Sequence, residues 1–185
     1  PAFIVEKFLG NTFVYRATVV DFTYVVCVQQ VPANIVGSGI STIRELIDTK
    51  NSDPNPNRGK IVEDETTKGL LDGKGYNEKT ILKKGEVLFL QKDPFLKLGG
   101  DLLEVTPSVH ADNRKLFCDL ALLFDIRLTG IDFLASNIAV SWKNQLCAVL
   151  ELNSAPCIEL HHFPYSGIPT NPAKALADMF FKYYT

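Results

Sequence analysis

Apolar residues along this chain recur with the two-residue period of strands in some segments and with helical spacing in others. Segments rich in β-branched and aromatic residues, bounded by turn-forming residues, are typical of strands. The predicted strands cover residues 3–9, 13–20, 23–31, 85–91, 128–135 and 145–152, with a further short strand that ends at Thr106. Since only short breaks separate the first three, we expect them to form an antiparallel meander.

Four other segments carry the apolar spacing or the terminal residues of helices. In the first, Thr42 is followed three residues later by Glu45, which predicts a capping box. The last has Asn171 as its N-cap and Pro172 as its first residue. The predicted helices cover 43–50, 63–72, 108–125 and the residues from 172 onward. Strands and helices together predict an α+β fold, with a mainly antiparallel sheet flanked by helices.

The two longer helices are each expected to bury one apolar stripe. The expected stripes are Leu116, Leu120, Leu123 and Phe124 in the earlier helix, and Leu176, Met179, Phe180 and Tyr183 in the C-terminal one. Between the first two helices, residues 51–60 are polar and contain two prolines. That segment is therefore predicted to be an exposed, mobile loop.

Composition narrows the class of protein. With 46% hydrophobic and 22% charged residues, the 185-residue chain has the make-up of an ordinary globular protein. A net charge of −2 gives no reason to expect nucleic acid or an anionic membrane as a partner. No apolar run reaches the length of a membrane span, and four widely spaced cysteines fit a reducing compartment. We therefore expect a cytoplasmic protein.

Two acidic residues and an amide near the end of the chain form the strongest candidate site. Asp132 lies in the apolar segment GIDFL, and Glu151 and Asn153 lie in LELNSAP, which we interpret as an adjacent strand. Glu151 and Asn153 are two residues apart, so their side chains leave the same face. Such oxygen ligands suit Mg²⁺, which takes only one or two protein carboxylates. The alternative is that they are polar residues at strand ends, but the three together favour a metal site.

Five segments, in this order, resemble the later part of an ATP-grasp ligase domain. They are VEKFLG (5–10), VPANIVGSGISTIRELI (31–47), LGGDLLEVT (98–106), GIDF (130–133) and LELNSAP (150–156). Within that superfamily the chain is similar to cyanophycin synthetase and to the ATP-grasp module of bifunctional glutamate–cysteine ligase/glutathione synthetase. Residues 161–181 favour the first relative and residues 75–90 favour the second, so the choice between them stays open.

The resemblance implies ATP and Mg²⁺ as cofactors and assigns roles to individual residues. Glu6, Lys7, Phe8 and Leu9 would form the hinge that contacts adenine. The Mg²⁺ ligands implied by the resemblance are Asp132, Glu151 and Asn153. The implied reaction activates a carboxylate as an acyl phosphate, which an amine then attacks to give an amide or peptide bond.

Three further residues are implied on the phosphoryl side of the site. Gly99 and Gly100 would belong to a loop beside the transferred phosphoryl group and the substrate carboxylate. Arg16, which follows Tyr15, would contribute positive field there. The substrate implied is a small amino acid or peptide. Neither its identity nor a possible homo-oligomer can be decided from the sequence.

Several features depart from an intact ligase. Gln30 replaces the family's basic residue before V-P-A, residues 10–16 lack a ribose-binding carboxylate, and Phe95–Leu98 replace a polar segment. The chain starts at the hinge without an initiator Met, so we interpret it as a hinge and C-terminal lobe, residues 1–185, of a longer parent chain that supplies the missing first lobe. We therefore expect no ligase activity from these 185 residues alone. The alternative function is a degenerate, non-catalytic ATP-grasp domain that serves as a binding or structural module.

Overall fold

The computed structural model describes residues 12–55 and 59–184, together with residues 3, 5 and 7–10. The strands are β1 (Phe13–Val20), β2 (Tyr24–Val31), β3 (Asn34–Val36), β4 (Val87–Phe89), β5 (Asp101–Glu104), β6 (Leu128–Ala135) and β7 (Cys147–Asn153). The helices are α1 (Ile43–Asn51), α2 (Glu65–Asp72), α3 (Ala111–Leu123) and α4 (Pro172–Tyr184). In the part of the chain covered by the structure, no helix is both long and apolar enough to cross a membrane.

The chain folds into two compact units. The first unit contains Pro1–Cys27, Val105–Cys157 and Pro172–Thr185. The second unit contains Val28–Glu104 and Ile158–Asn171. Each unit has its own cluster of buried apolar side chains.

In the first unit, β2, β1, β6 and β7 are neighbours in that order, and β6 pairs antiparallel with both β1 and β7. Alternation along β1 sends Tyr15, Ala17 and Val19 into the core, because successive side chains of a strand point to opposite faces. Helix α3 covers this face, where Phe117 meets Phe133 edge-to-face with ring centroids 5.3 Å apart. Arg16 and Asp132 alternate with these core residues and therefore lie on the other face, here called the polar face, although Val14 and Leu134 lie there too.

The second unit contains a two-stranded sheet of β3 and β4 and a separate pairing of residues 28–31 of β2 with β5, both antiparallel. Helix α1 begins with the predicted capping box, in which the Thr42 hydroxyl accepts from the backbone of Glu45 and the Glu45 carboxylate accepts from the backbone of Thr42. Its buried Ile43 and Ile47 pack in the core of this unit. Thus local sequence sets where the helix begins and which face it buries.

The predicted α+β fold with a mainly antiparallel sheet is confirmed, but the strand predicted over 3–9 is not found among the described residues, and the strand predicted over 85–91 was too long. Residues 3, 5 and 7–9 are not in a strand, and their neighbours 4 and 6 lie outside the described residues. Strand β4 covers three residues of the predicted seven. The prediction of a mobile loop over 51–60 is untested, since Asn51 ends α1 and residues 56–58 lie outside the described part.

The stripe predicted for α3 was partly wrong. Leu116 and Leu120 are partly buried and pack against the core of the first unit, as predicted. Asn113, Phe117 and Ala121 are the buried positions, whereas Leu123 and Phe124 are exposed. The reason is the buried amide of Asn113, which donates to the backbone oxygens of Ile138 and Val140 at 2.8 and 2.9 Å. The face of α3 that packs on the core thus includes a polar residue. A prediction from apolar residues alone therefore selects the neighbouring face of the helix.

The stripe predicted for α4 was partly wrong. Met179 is buried, but Phe180 and Tyr183 are exposed. Phe180 instead stacks on Tyr184, with ring centroids 5.4 Å apart, and the Arg127 guanidinium lies 4.0 Å from the centroid of the Tyr183 ring. Aromatic and cation–π contacts along the helix surface therefore take the place of burial for these side chains.

Candidate metal centre

The polar face of the first unit carries a row of charged side chains across three neighbouring strands. Arg16 of β1 is paired with Asp132 of β6, and Asp132 is paired with Glu151 of β7. Directly paired residues on antiparallel strands hold their Cβ atoms about 4.5–5.5 Å apart. Backbone register alone therefore brings one cation and two carboxylates together, although Arg16 and Asp132 are 116 residues apart in sequence.

Arg16 grips Asp132 with two hydrogen bonds. Its Nε donates to Oδ1 of Asp132 at 2.5 Å and its Nη2 donates to Oδ2 at 2.8 Å. The two side chains are 13% and 15% exposed, while that of Glu151, whose Oε1 lies 3.9 Å from Nη2 of Arg16, is 59% exposed. A two-pronged, charge-assisted pair of this kind fixes the orientation of the carboxylate. Glu151 stays free to reorient.

A bulge in β7 lies beside this row. Asp132 faces Glu151 but the next residue, Phe133, faces Val149, so Leu150 is an extra residue in β7. Bulges bend a strand and redirect its side chains, and they are common next to functional sites. Here the bulge falls between the strand's core-packing part and its polar end.

A second row lies next to the first on the same face, and its central residue is a glycine. Gly130 of β6 is paired with Thr18 of β1 and with Asn153 of β7. A Cβ atom at Gly130 would lie 2.8 Å from Cβ of Pro156 and 3.1 Å from Nη1 of Arg16. The Arg16 side chain thus lies against a glycine. Sequence reasoning missed Gly130, although its position two residues before Asp132 places it on the face of that ligand.

The electrostatics of the row keep Arg16 charged. Burial on its own lowers the pKa of Arg16, but the hydrogen bonds and charge of Asp132, with smaller contributions from Glu151 and Cys157, raise it above the ordinary value. The guanidinium is therefore a permanent cation at this face.

The donor set fits a hard divalent cation. Each carboxylate oxygen offers two lone pairs, so Asp132 retains one on each oxygen after the Arg16 contacts. The side-chain oxygen of Asn153 accepts from the backbone of Ala155 at 2.9 Å and keeps its second lone pair. No group of three or more His, Cys, Asp or Glu side chains within the described residues could hold a metal. Two carboxylates and an amide suit Mg²⁺, which completes its shell with water and phosphate.

The proposed hinge is described only in part. Glu6 lies outside the described residues. Lys7 and Phe8 are exposed and Leu9 is half-buried, and all three have irregular backbone. The backbone oxygen of Leu9 accepts a hydrogen bond from the Thr12 hydroxyl at 2.9 Å. The adenine contact assigned to them by resemblance stays a prediction.

The paired glycines lie in the second unit and are required by close backbone packing. Gly99 has φ of +90°, and a Cβ there would lie 2.6 Å from Cα of Ile61. A Cβ at Gly100 would lie 2.9 Å from the backbone oxygen of Val31. Packing therefore accounts for both glycines. Their role beside a phosphoryl group stays a prediction.

The departures predicted from the sequence can now be placed. Gln30 is half-buried in β2 and is paired with Leu102 of β5. Leu96–Leu98 form a short 3₁₀ turn preceded by Phe95, which is exposed. Gln30 offers a neutral amide, and Phe95, Leu96 and Leu98 offer no polar side chain, whereas Lys97 places its ammonium group 5.6 Å from the centroid of the Phe95 ring.

The fold has a counterpart among solved structures. A bifunctional glutathione synthetase from Pasteurella multocida superposes with a TM-score of 0.83 at 22% identity, over 92% of this chain and 24% of that chain. No protein-family model matches the chain. The superposition on the glutathione synthetase shows that the chain has the fold of an ATP-grasp domain, as the sequence predicted.

Relatives in sequence are found for nearly the whole chain. Cyanophycin synthetase from Synechocystis sp. is 33% identical over 184 residues, which cover 96% of this chain and 21% of that enzyme. The glutathione biosynthesis bifunctional protein from Clostridium perfringens is 30% identical over 184 residues, which cover 96% of this chain and 24% of that protein. The resemblance to these two kinds of ligase is confirmed, and the chain spans only a fifth to a quarter of their length.

Proposed function

We propose that this chain is the metal-binding part of an ATP-dependent carboxylate–amine ligase. The parent enzyme would activate a carboxylate as an acyl phosphate and transfer it to an amine, giving an amide or peptide bond. Its substrate would be a small amino acid or peptide, as in the two kinds of relative. The remaining lobe of the nucleotide site would come from the same parent chain, acting in the cytoplasm and possibly within a homo-oligomer.

One observation carries this proposal. Asp132 and Glu151 are directly paired on neighbouring strands, and Asn153 lies on the same face. That arrangement lies within a region related to ATP-dependent ligases over nearly all of its length. Strand ends with incidental polar residues would not require two acidic residues in register beside a permanent cation. A magnesium–phosphate site uses one or two carboxylates, and the register of β6 and β7 supplies two side by side.

The chain's own residues would divide the work as follows. Asp132 and Glu151 would hold Mg²⁺ with Asn153, and the ion would neutralise nucleotide phosphate charge and act as a Lewis acid. Arg16 holds Asp132 in one orientation through its paired hydrogen bonds. Lys7, Phe8 and Leu9, with Glu6, would contact adenine. Gly99 and Gly100 would line the phosphoryl side.

A second candidate is a degenerate, non-catalytic ATP-grasp domain that serves as a binding or structural module. The observation that favours it is the pair of departures at Gln30 and Phe95–Leu98. Replacing a permanent cation by an amide removes both charge and a two-pronged donor. Under this alternative the parent protein would form no acyl phosphate.

The test is Mg²⁺-dependent ATP binding by the full-length parent protein, measured by calorimetry with and without Mg²⁺. We expect Asp132→Asn and Glu151→Gln each to weaken the Mg²⁺-dependent affinity at least about tenfold, since ligand-shell changes cost this much or more. The matched control is Asp119→Asn, an exposed α3 carboxylate held by Lys115 at 2.7 Å.

The outcomes separate the candidates. Loss of the Mg²⁺-dependent component in both variants, but not in the control, supports the proposed site. Absence of nucleotide binding by the wild-type parent protein contradicts the ligase and leaves the degenerate domain. Binding without formation of acyl phosphate, followed with labelled ATP and the candidate amino acids, selects the degenerate domain.

A further inference from the structure

The Arg16–Asp132 pair occupies the very carboxylate that the proposed metal would need. Both oxygens of Asp132 accept a hydrogen bond from the same guanidinium, at 2.5 and 2.8 Å. The pair is largely shielded from water, since its side chains are 13% and 15% exposed. A cation approaching this face therefore meets a carboxylate that already has a counter-charge.

We infer that Arg16 is a built-in competitor for the divalent cation, which holds Asp132 when no metal is bound and must release it or share it when metal binds. This inference rests on the proposed metal site and concerns its regulation. Under it, Arg16 acts through Asp132 rather than on the substrate. The cation site is thus closed at rest.

Charge supports the competition. A unit positive charge a few ångströms from the ligand set repels a divalent cation, and at a partly buried position solvent screens this repulsion incompletely. Glu151 partly offsets it, but its carboxylate is 3.9 Å from Nη2 of Arg16 and mostly exposed. Asp132 is therefore the ligand for which the guanidinium and the metal compete directly.

Geometry keeps the competitor in place. Gly130 has no side chain, and the Arg16 side chain lies where a Cβ at that position would come within 3.1 Å of Nη1 and 3.3 Å of Cδ. Pro156 closes the same space, 2.8 Å from that Cβ position. The guanidinium thus rests in a slot bounded by a glycine and a proline, which favours the orientation that grips Asp132.

The experiment measures Mn²⁺ binding without nucleotide, from the electron paramagnetic resonance signal of the free ion. The proteins are wild type, Arg16→Gln and Arg16→Lys. We expect Arg16→Gln to bind Mn²⁺ about tenfold more tightly than wild type, the scale of one charge-assisted pair. Arg16→Lys should lie between them, because lysine keeps the charge but loses the two-pronged grip. Lys182→Gln, with the same change of net charge in the first unit, should leave the affinity unchanged.

A second measurement, the melting temperature with and without Mn²⁺, keeps the test valid if Arg16→Gln is less stable than wild type. If Arg16→Gln folds less stably, Mn²⁺ should raise its melting temperature by more than it raises that of wild type, because a cation binding only the folded state stabilises it by mass action. Each protein is compared with itself, with and without Mn²⁺, so a lower starting melting temperature of the variant does not by itself produce a larger shift.

Each outcome has a meaning. Tighter binding by Arg16→Gln, including binding that appears only in that variant, supports the competition. Equal or weaker binding by Arg16→Gln, with measurable binding by wild type, overturns the competition while keeping the metal site. If neither protein binds Mn²⁺ and melting temperatures do not respond, the competition is overturned, because Asp132 then holds no cation for which Arg16 could compete; the metal–nucleotide site is decided separately by the calorimetry with ATP.

Discussion

Both units place charged residues on their sheets, but they treat the charges differently. In the first unit, the row of Arg16, Asp132 and Glu151 ends in a side chain that is 59% exposed. In the second unit, Nζ of Lys50 lies 2.6 Å from Oδ2 of Asp101, with side chains only 10% and 2% exposed. One set is open to solvent at Glu151, whereas the other is enclosed by protein.

The second unit also satisfies its buried charges from within. Asp101 accepts from the Asn34 amide at 2.9 Å, and Lys50 donates to the backbone oxygen of Asn34 at 2.6 Å. Glu104 and His161, both fully buried, lie 3.7 Å apart. Burial and the number of internal partners, rather than the type of residue, thus distinguish a structural ion pair from a candidate site.

The largest effect is expected from breaking the enclosed pair. Lys50→Met should reduce the free energy of unfolding by about 3–5 kcal/mol, because it removes the cation from a carboxylate buried in protein. Hydrogen exchange read by mass spectrometry locates the loss. Amides of α1 and β5 should lose protection before those of β1 and β6.

The control for this variant is Lys68→Met. Lys68 pairs with Glu65 at 2.8 Å on the surface of α2, with side chains 64% and 91% exposed. Such exposed pairs contribute little, so the free energy of unfolding should change by less than about 0.5 kcal/mol. If the two lysine substitutions lowered the free energy of unfolding equally, burial would not determine how much each ion pair contributes to stability.

A smaller loss in the free energy of unfolding is expected when the row of Arg16, Asp132 and Glu151 is changed. Asp132→Asn should cost about 1.5–3 kcal/mol, the range for hydrogen bonds to charged groups, because the Arg16 guanidinium loses its two-pronged acceptor. Chemical denaturation followed by Trp142 fluorescence reports the first unit. Glu151→Gln is the comparison, and its exposure predicts a change near zero.

A destabilisation of similar or smaller size is expected when a side chain is added at Gly130, next to Arg16. Gly130→Ala should destabilise by about 1–3 kcal/mol, since its Cβ meets Pro156 and Arg16 at 2.8 and 3.1 Å. Gly69→Ala in α2 is the matched control, because nothing lies within 4 Å of that Cβ. Alanine in a helix interior should there stabilise by about 0.4–1 kcal/mol. Melting temperatures of both variants test this prediction. If Gly130→Ala stabilises the protein, Arg16 and Pro156 do not fill the space beside Gly130.

Part of this comparison could be predicted from the sequence. Period-two alternation predicted β1, β6 and most of β7, and the spacing of Glu151 and Asn153 predicted a shared face. The partner of Asp132 could not be found in this way, because Arg16 comes beside it only through the pairing of β1 with β6. The spacing of residues in the sequence predicts which side chains share one face of a strand or helix. It does not predict which strands pair with each other in a sheet.

The same limit explains the errors in the helices. Asn113 is buried because carbonyl groups of residues 138 and 140 accept from it, and these lie beyond the helix in sequence. The Lys50–Asp101 pair was missed for a similar reason, since 51 residues separate its members. Buried polar residues with distant partners are therefore the ones that an apolar pattern misplaces.

The smallest effect concerns an open cluster of charges in the first unit. Lys182 of α4 donates to Oδ2 of Asp21 at 2.8 Å, and Arg127 donates to Oδ1 at 2.9 Å. The hydrogen bond from Lys182 is the largest cause that lowers the pKa of Asp21 below its ordinary 3.8, followed by those from Tyr183 and Arg127, against the raising effect of burial. A lowered carboxyl pKa stabilises the folded state above the ordinary pKa, and this contribution is lost as the pH falls through the folded value.

Asp21→Asn isolates that charge, because Asp21 has φ of +48° and asparagine tolerates this left-handed backbone well. We therefore expect wild type to exceed the variant in stability at pH 7 and the difference to shrink below about pH 4. Melting temperatures from pH 7 to pH 2.5, with hydrogen exchange of α4, measure the difference. A gap between the two proteins that stays constant with pH would mean that shape rather than charge holds α4 at this turn. A gap that shrinks as the pH falls shows that the charge of Asp21 holds α4 at this turn.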